Sequence, residues 1–262
     1  MAKVRLDILL TEQGYFESRA KAQAVIMSGV VFLNGKREDK PGTLVPPTAV
    51  PEIRDEPMPY VSRGGLKLQK ALASFQVNPE GKCCLDCGAS TGGFTDCLLQ
   101  HGAAKVYAVD VGYGQLDWRL RQDPRVIVLE RQNIRHLTRE TLGDQSDLAV
   151  MDLSFISLRL VLPTVYELLL EAGEAICLIK PQFEVGKGQV GKKGVVRDPA
   201  IHQQVLEQFQ KDAEAAGFGL VALDFSPIRG PEGNIEYLGR LQKDKPSATD
   251  LEIQTIVERS HL

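Results

Sequence analysis

The stretch Asp86-Cys87-Gly88-Ala89-Ser90-Thr91-Gly92-Gly93-Phe94 decides how this chain is read. It follows a short apolar run, Cys83-Cys84-Leu85, and precedes an amphipathic run that opens near Thr95. That order predicts a strand, a glycine turn and a helix. Glycine lets backbone approach a ligand that a side chain would exclude. The helix start offers N–H groups with no intrahelical partner, which suit a negative group. An enzyme that holds a nucleoside-type cofactor needs this arrangement. The glycine order is G-x-x-x-G-G, not the G-x-G-x-x-G of dinucleotide binding, so this turn alone leaves a nicotinamide enzyme open.

Outward from the turn, apolar strand-like runs alternate with helical ones. The runs are 83–86, 106–110, 126–129, 148–152 and 175–179, with helices expected at 94–101, 115–121, 157–170 and 200–216. Such alternation implies a parallel sheet covered by helices. Two further strands, 219–225 and 235–241, are joined by Pro227-Ile228-Arg229-Gly230-Pro231-Glu232-Gly233-Asn234. They read as an antiparallel hairpin closing one sheet edge. Upstream, Ser18 caps a helix from Arg19 to Met27 that stops at Gly29, and Asn34-Gly35 marks a hairpin. The proline-rich stretch from Pro41 to Pro59 reads as a linker or an extended crossing segment. The expected division is a small α+β domain over 1–45, a linker over 46–60, and an α/β domain over 61–262.

Composition narrows the function classes. Net charge is −3 and charged residues make up 25%, so nucleic-acid binding would need a local basic face. No apolar run approaches the ~20 residues that span a bilayer. The N-terminal residues lack a signal-peptide core, and the expectation is a cytoplasmic protein with no membrane partner. Of the five cysteines, Cys83, Cys84, Cys87 and Cys97 crowd around the glycine turn. Cys84-x-x-Cys87 has the spacing of a zinc or redox pair, but no second Cys/His pair has suitable spacing. Small buried residues packed in a strand is the reading preferred, and no metal is expected.

In an open parallel sheet, ligands sit beyond the carboxyl ends of the strands. Those ends carry Asp86, Asp110, Asp152 and Lys180, with Asn133 after the third strand. Asp110, about 20 residues past the turn, suits ribose hydroxyls, and Asn133 suits an adenine edge. Gly186-Lys187-Gly188-Gln189-Val190-Gly191-Lys192 matches G-x-x-x-x-G-K, but Lys193 stands where a phosphate loop needs Ser or Thr. A basic loop near a phosphate backbone and a merely solvated loop both fit it. At Asp152-Leu153-Ser154-Phe155 there is no Pro-Pro, as amino-group methylation favours, and no cysteine follows a proline, as cytosine carbon methylation favours. A lysine-rich site suits attack by a hydroxyl.

On these residues the second domain resembles the FtsJ-type RNA ribose methyltransferases. The whole chain is similar to the TlyA, or hemolysin A-like, family of ribosomal RNA methyltransferases. Val61-Ser62-Arg63-Gly64-Gly65-Leu66-Lys67-Leu68 and the glycine turn carry the resemblance most specifically. Arg5-Leu6-Asp7, Ser18-Arg19-x-x-Ala22 and Gly29-x-Val31-x-x-Asn34-Gly35 look like the alpha-L RNA-binding domain.

The resemblance implies a Rossmann-like methyltransferase fold, a mostly parallel seven-stranded sheet with an antiparallel edge hairpin, and S-adenosyl-L-methionine as cofactor. It implies ribosomal RNA or ribosomal subunits as partners. The matched tetrad is Lys67, Asp152, Lys180 and Glu236, the last placed on the final strand. Asp86, Gly88, Ser90, Thr91, Gly92, Gly93, Phe94, Asp110 and Asn133 match the cofactor site. Ser90-Thr91 and Phe94 depart from the Ala-Pro and Trp of the better-known branch. Arg5, Arg19, Lys21, Lys36, Arg37, Arg63, Lys187, Lys192 and Lys193 are the RNA-binding candidates. Lys180 is expected to be the general base, since burial beside a second cation helps an amine lose its proton. Two other readings stand beside this one: a membrane-damaging hemolysin, and a ribosome-binding protein without catalysis.

Overall fold

The computed structural model describes residues 3–53, 58–186, 190–191, 194–230 and 232–262. The chain divides into two compact units, Met1–Arg63 and Gly64–Leu262.

In the first unit, β1 (Val4–Arg5) runs into α1 (Leu6–Glu12), and α2 (Arg19–Ser28) follows. Ser18 Oγ accepts the Lys21 N–H, and Gly29, at φ 77°, ends α2 in the left-handed region. β2 (Val31–Leu33) and β3 (Lys36–Glu38) form a hairpin across Asn34-Gly35, where both residues have positive φ. β4 (Leu44–Val45) pairs with β1, and β5 (Pro51–Ile53) pairs with β2. The sequence expectation of a linker over 46–60 is corrected at β5, whose residues complete a three-stranded sheet. Leu6, Leu9, Leu10, Ala22, Ile26, Val31 and Val45 form the core.

The second unit opens with α3 (Gly64–Phe75). It continues through β6 (Cys83–Cys87), α4 (Gly93–Gln100), β7 (Lys105–Asp110), α5 (Trp118–Gln122), β8 (Val126–Glu130) and α6 (Arg139–Leu142). Then come β9 (Ser146–Met151), α7 (Leu162–Leu168), β10 (Leu169–Ile179), α8 (Pro181–Glu184) and α9 (Pro199–Ala215). β11 (Phe218–Phe225), β12 (Tyr237–Lys243) and α10 (Ile253–His261) complete it. The seven strands lie in the order β11-β12-β10-β9-β6-β7-β8. β6 to β10 pair in parallel, and β12 runs antiparallel to both β10 and β11. This is the expected Rossmann-like methyltransferase sheet with its antiparallel edge.

Several boundaries differ from the sequence reading. The helix expected over 157–170 ends at Leu168, because the chain turns extended at Leu169 and enters β10. The last strand starts at Tyr237, so Glu236 precedes it instead of lying on it. β6, β7 and β9 are almost entirely buried, and their apolar side chains pack with β10 under the helices. Cys84, Cys87, Cys97 and Cys177 are buried and in no disulfide, and burial pushes the Cys84 thiol up to about 12. They are packing residues, and burial raises the Cys87 and Cys177 thiols as well.

Candidate active site

The parallel topology brings five strand ends to one edge of the second unit. β6 ends in the glycine turn, where Gly88 and Gly92 have φ of 85° and 96° and Ser90 has 49°. The turn is pinned to β7, since the Gly88 and Ala89 N–H groups both donate to the Val109 carbonyl. A Cβ on Gly88 would lie 2.9 Å from Leu153 Cδ2 and 3.1 Å from the Asp152 carbonyl oxygen. Only glycine lets β6 and β9 approach this closely at their ends.

Beyond the turn lies a cleft of about 430 Å³, lined by Gly88, Ser90, Asp110, Asn133, Asp152 and Phe155 among others. Asp110 braces its wall. Its Oδ2 accepts the Ser90 N–H at 2.7 Å and its Oδ1 accepts the Gly112 N–H at 2.7 Å. Each carboxylate oxygen retains a second acceptor site for a hydroxyl. Asn133 Oδ1 caps the following short turn through the Arg135 N–H.

Gly88, Ser90, Asp110 and Asn133 thus come together, while the other candidates from the turn do not reach the cleft. Asp86, Gly93 and Phe94 are buried behind it, and Gly92 is packed against Leu116 and Leu120. Thr91 is exposed and its carbonyl accepts the Asp117 N–H. Asp86 is wholly buried, with Oδ2 accepting from Thr95 Oγ1 at 2.7 Å and Oδ1 without a hydrogen-bond partner. Burial raises its pKa to about 7 against the Thr95 hydrogen bond.

The tetrad assembles at the cleft's edge from four elements. Lys67 comes from α3, Asp152 from the end of β9, Lys180 from the end of β10 and Glu236 from the approach to β12. Lys180 Nζ lies 2.5 Å from Asp152 Oδ1 and 3.1 Å from Ser154 Oγ. Lys67 Nζ lies 3.4 Å from Asp152 Oδ2 and 2.7 Å from Glu236 Oε2. Lys67, Lys180 and Glu236 are buried. Burial opposes the charge on Lys67, but Asp152 and Glu236 outweigh it and raise its pKa above the ordinary lysine value. Burial likewise opposes ionisation of Asp152, and the two lysines outweigh it, lowering its pKa. One carboxylate therefore holds two amines, one of which is tied a second time by Glu236.

Ser154 and Phe155 were not singled out as site residues from the sequence. Both follow Asp152 in the loop after β9, and position beyond a strand end is the signal that marks them. Phe155 is 91% exposed with φ 65°, a strained backbone for an aromatic residue.

The N-terminal cationic candidates are mostly held within their own unit. Arg5 and Arg19 both bind the buried Asp7 carboxylate, at 3.0 Å and 2.9 Å. Arg37 Nη2 donates to the Ser28 carbonyl at the end of α2, Arg63 meets Asp39, and Lys21 meets Glu17. Lys36 is exposed on β3. Lys187, Lys192 and Lys193 lie outside the described residues. Among the described residues, no group of three or more His, Cys, Asp or Glu could hold a metal ion, and no helix is long and apolar enough to cross a membrane.

Residues 60–243 match the FtsJ-like methyltransferase family, and residues 4–50 match the S4 domain. The chain belongs to the FtsJ-like methyltransferases. Within them it falls in the TlyA group. It is 48% identical over 236 residues to the 16S/23S rRNA (cytidine-2′-O)-methyltransferase TlyA of Mycobacterium tuberculosis, covering 90% of this chain and 88% of that one. It is 43% identical over 236 residues to Hemolysin A of Brachyspira hyodysenteriae, covering 90% and 98%. A solved structure from Streptococcus thermophilus is 45% identical, with a TM-score of 0.79, covering 100% of this chain and 96% of that one. FtsJ-like membership makes this chain a methyltransferase.

Proposed function

We propose that this chain transfers a methyl group from S-adenosyl-L-methionine to a ribose 2′-hydroxyl of ribosomal RNA. The observation that carries the reading is the pair of buried lysines on one carboxylate, at the mouth of a nucleoside-sized cleft. The names of the TlyA relatives support the substrate, and the S4 domain supports binding to RNA.

The cleft fits the cofactor. Gly88 and Ser90 form a wall that a Cβ at Gly88 would disrupt, and Asp110 and Asn133 offer polar groups to ribose and adenine. When bound, the cofactor supplies a methyl group on a positively charged sulfur. The rest is the work of this chain's side chains. A ribose hydroxyl is a weak nucleophile until its proton is taken, and Lys180 Nζ is the group placed to accept it. Asp152 and Ser154 fix the direction of that amine. Lys67, held charged by Asp152 and Glu236, offers a donor to the acceptor oxygen and completes the cluster. Phe155 presents a ring face on which a base of the acceptor strand stacks.

The test is transfer of labelled methyl from S-adenosyl-L-methionine to ribosomal RNA, with ribose methylation read by nucleoside mass spectrometry. Labelled 2′-O-methylated nucleosides are the expected product; label on a base, or none, refutes the reading. The membrane-damaging reading predicts leakage of dye-loaded liposomes without cofactor.

A further inference from the structure

Glu236 stands at the end of a loop that builds a second, separate cavity. Gly230 N–H donates to the Asn234 carbonyl, and Gly233 N–H donates to the Gly230 carbonyl. The buried Asn234 side chain ties this loop to a neighbouring segment. Its Nδ2 donates to the Gly194 carbonyl at 2.9 Å, and its Oδ1 accepts the Val196 N–H at 3.1 Å. A Cβ on Gly230 would come within 2.8 Å of Glu236 Oε1, so the loop also packs directly on the tetrad.

Between these two segments lies a cavity of about 300 Å³, lined by Arg197, Arg229, Glu232, Ile235 and His261 among others. Both guanidinium side chains belong to exposed residues. Neither is in an ion pair with a carboxylate of the described residues, although Glu232 shares the lining. Among the described residues Arg5, Arg19, Arg121, Arg125 and Arg240, by contrast, are ion-paired. His261 adds a third polar group. Its Nδ1 lies 2.9 Å from the Val257 carbonyl oxygen and 3.2 Å from Ser260 Oγ. Its Nε2 is buried without a hydrogen-bond partner among the described residues.

We propose that this cavity binds a backbone phosphate of the RNA strand that carries the target ribose. Two guanidiniums outside any ion pair of the described residues match a phosphate. Contacts of this kind position the strand without reading its bases. Ile235 in the wall adjoins Glu236 in sequence, so the anchored unit and the methylated one are held by the same loop. The proposal rests on RNA being the acceptor.

The experiment uses the full-length protein and a ribosomal RNA transcript. The double variant R197A/R229A is compared with wild type and with R197K/R229K. Thermal unfolding midpoints should agree, since both arginine residues are exposed and free of ion pairs. The expected result is a KM for RNA raised about tenfold or more, with kcat and cofactor affinity near wild type. The log–log salt dependence of RNA binding, read by fluorescence anisotropy, should become shallower by ~0.7 for one lost phosphate contact. The lysine variant should retain part of the affinity. An alanine variant with wild-type KM and salt slope overturns the proposal. If wild type methylates no ribosomal RNA, the functional reading fails, and the anisotropy comparison still decides whether the cavity holds RNA backbone.

Discussion

Lys180 Nζ lies 2.5 Å from Asp152 Oδ1, the shortest contact in the tetrad. The pairing turns a flexible side chain into a directed one. Removing the amine while keeping the carboxylate separates catalysis from binding. Lys180→Ala should lower kcat by about 10²–10⁴, the range of a lost general base. Cofactor affinity by calorimetry should stay at the wild-type value, because Lys180 is absent from the cleft lining. Near-native turnover would sink Lys180 as base.

Asp152 also links the cluster to stability. Its pKa is lowered from 3.8, so its contribution is present above that value and lost as pH falls through the folded-state value. Lys67 has its pKa raised from 10.5, so its contribution is present below that value and lost as pH rises through the folded one. Asp152→Asn leaves two amines without their shared carboxylate and should cost about 3 kcal/mol. Measured by urea unfolding, that gap should hold steady between these limits and shrink below pH 3.8. A gap that instead widens on acidification would contradict the ion-pair account.

How much of this was legible in the sequence follows from locality. Strand ends are marked by apolar runs that stop at a polar residue, so Asp110, Asp152 and Lys180 could be placed at one edge. Lys67 was matched by motif, but its helix went unread because α3 opens with Gly64-Gly65, poor helix formers. The partners of the N-terminal arginines were not legible. Arg5, Arg19 and Gln23 converge on Asp7 only once Asp7 is buried, a contact no local pattern announces. Likewise β5 forms because β2 leaves an edge to pair, and its own Pro51 argues against a strand. Asp86 looked like a ligand residue from its place beside the turn, and its burial behind the turn emerges only when α4 packs with Thr95 over it.

The glycine turn offers a steric test. Gly88 has φ 85°, and a methyl group there would press on Leu153 and the Asp152 backbone. Gly88→Ala should destabilise the protein by about 1–3 kcal/mol through backbone strain. It should also weaken cofactor binding more than tenfold, since Gly88 lines the cleft. Differential scanning fluorimetry with and without S-adenosyl-L-methionine reads both effects. A variant that is destabilised yet binds normally would remove Gly88 from the cofactor site.

Asp86 carries the opposite linkage from Asp152. Its folded pKa is raised from 3.8 to about 7, because a wholly buried carboxylate loses hydration that hydrogen bonding from Thr95 does not replace. Between those two values the folded protein keeps a proton that the unfolded chain has released. Its contribution to stability is therefore full below 3.8 and is lost as pH rises through about 7. Asp86→Asn removes the titration and keeps an acceptor for Thr95. The amide brings its own cost, since its N–H groups face the position where Oδ1 has no partner. That cost is independent of pH, so the informative quantity is the difference between variant and wild type. Urea unfolding of both proteins should show the variant gaining on wild type by a few kcal/mol from pH 4 to pH 7, and no further change above it. A difference that stays flat across this range would mean that Asp86 is ionised throughout, and that its free oxygen has a partner in solution.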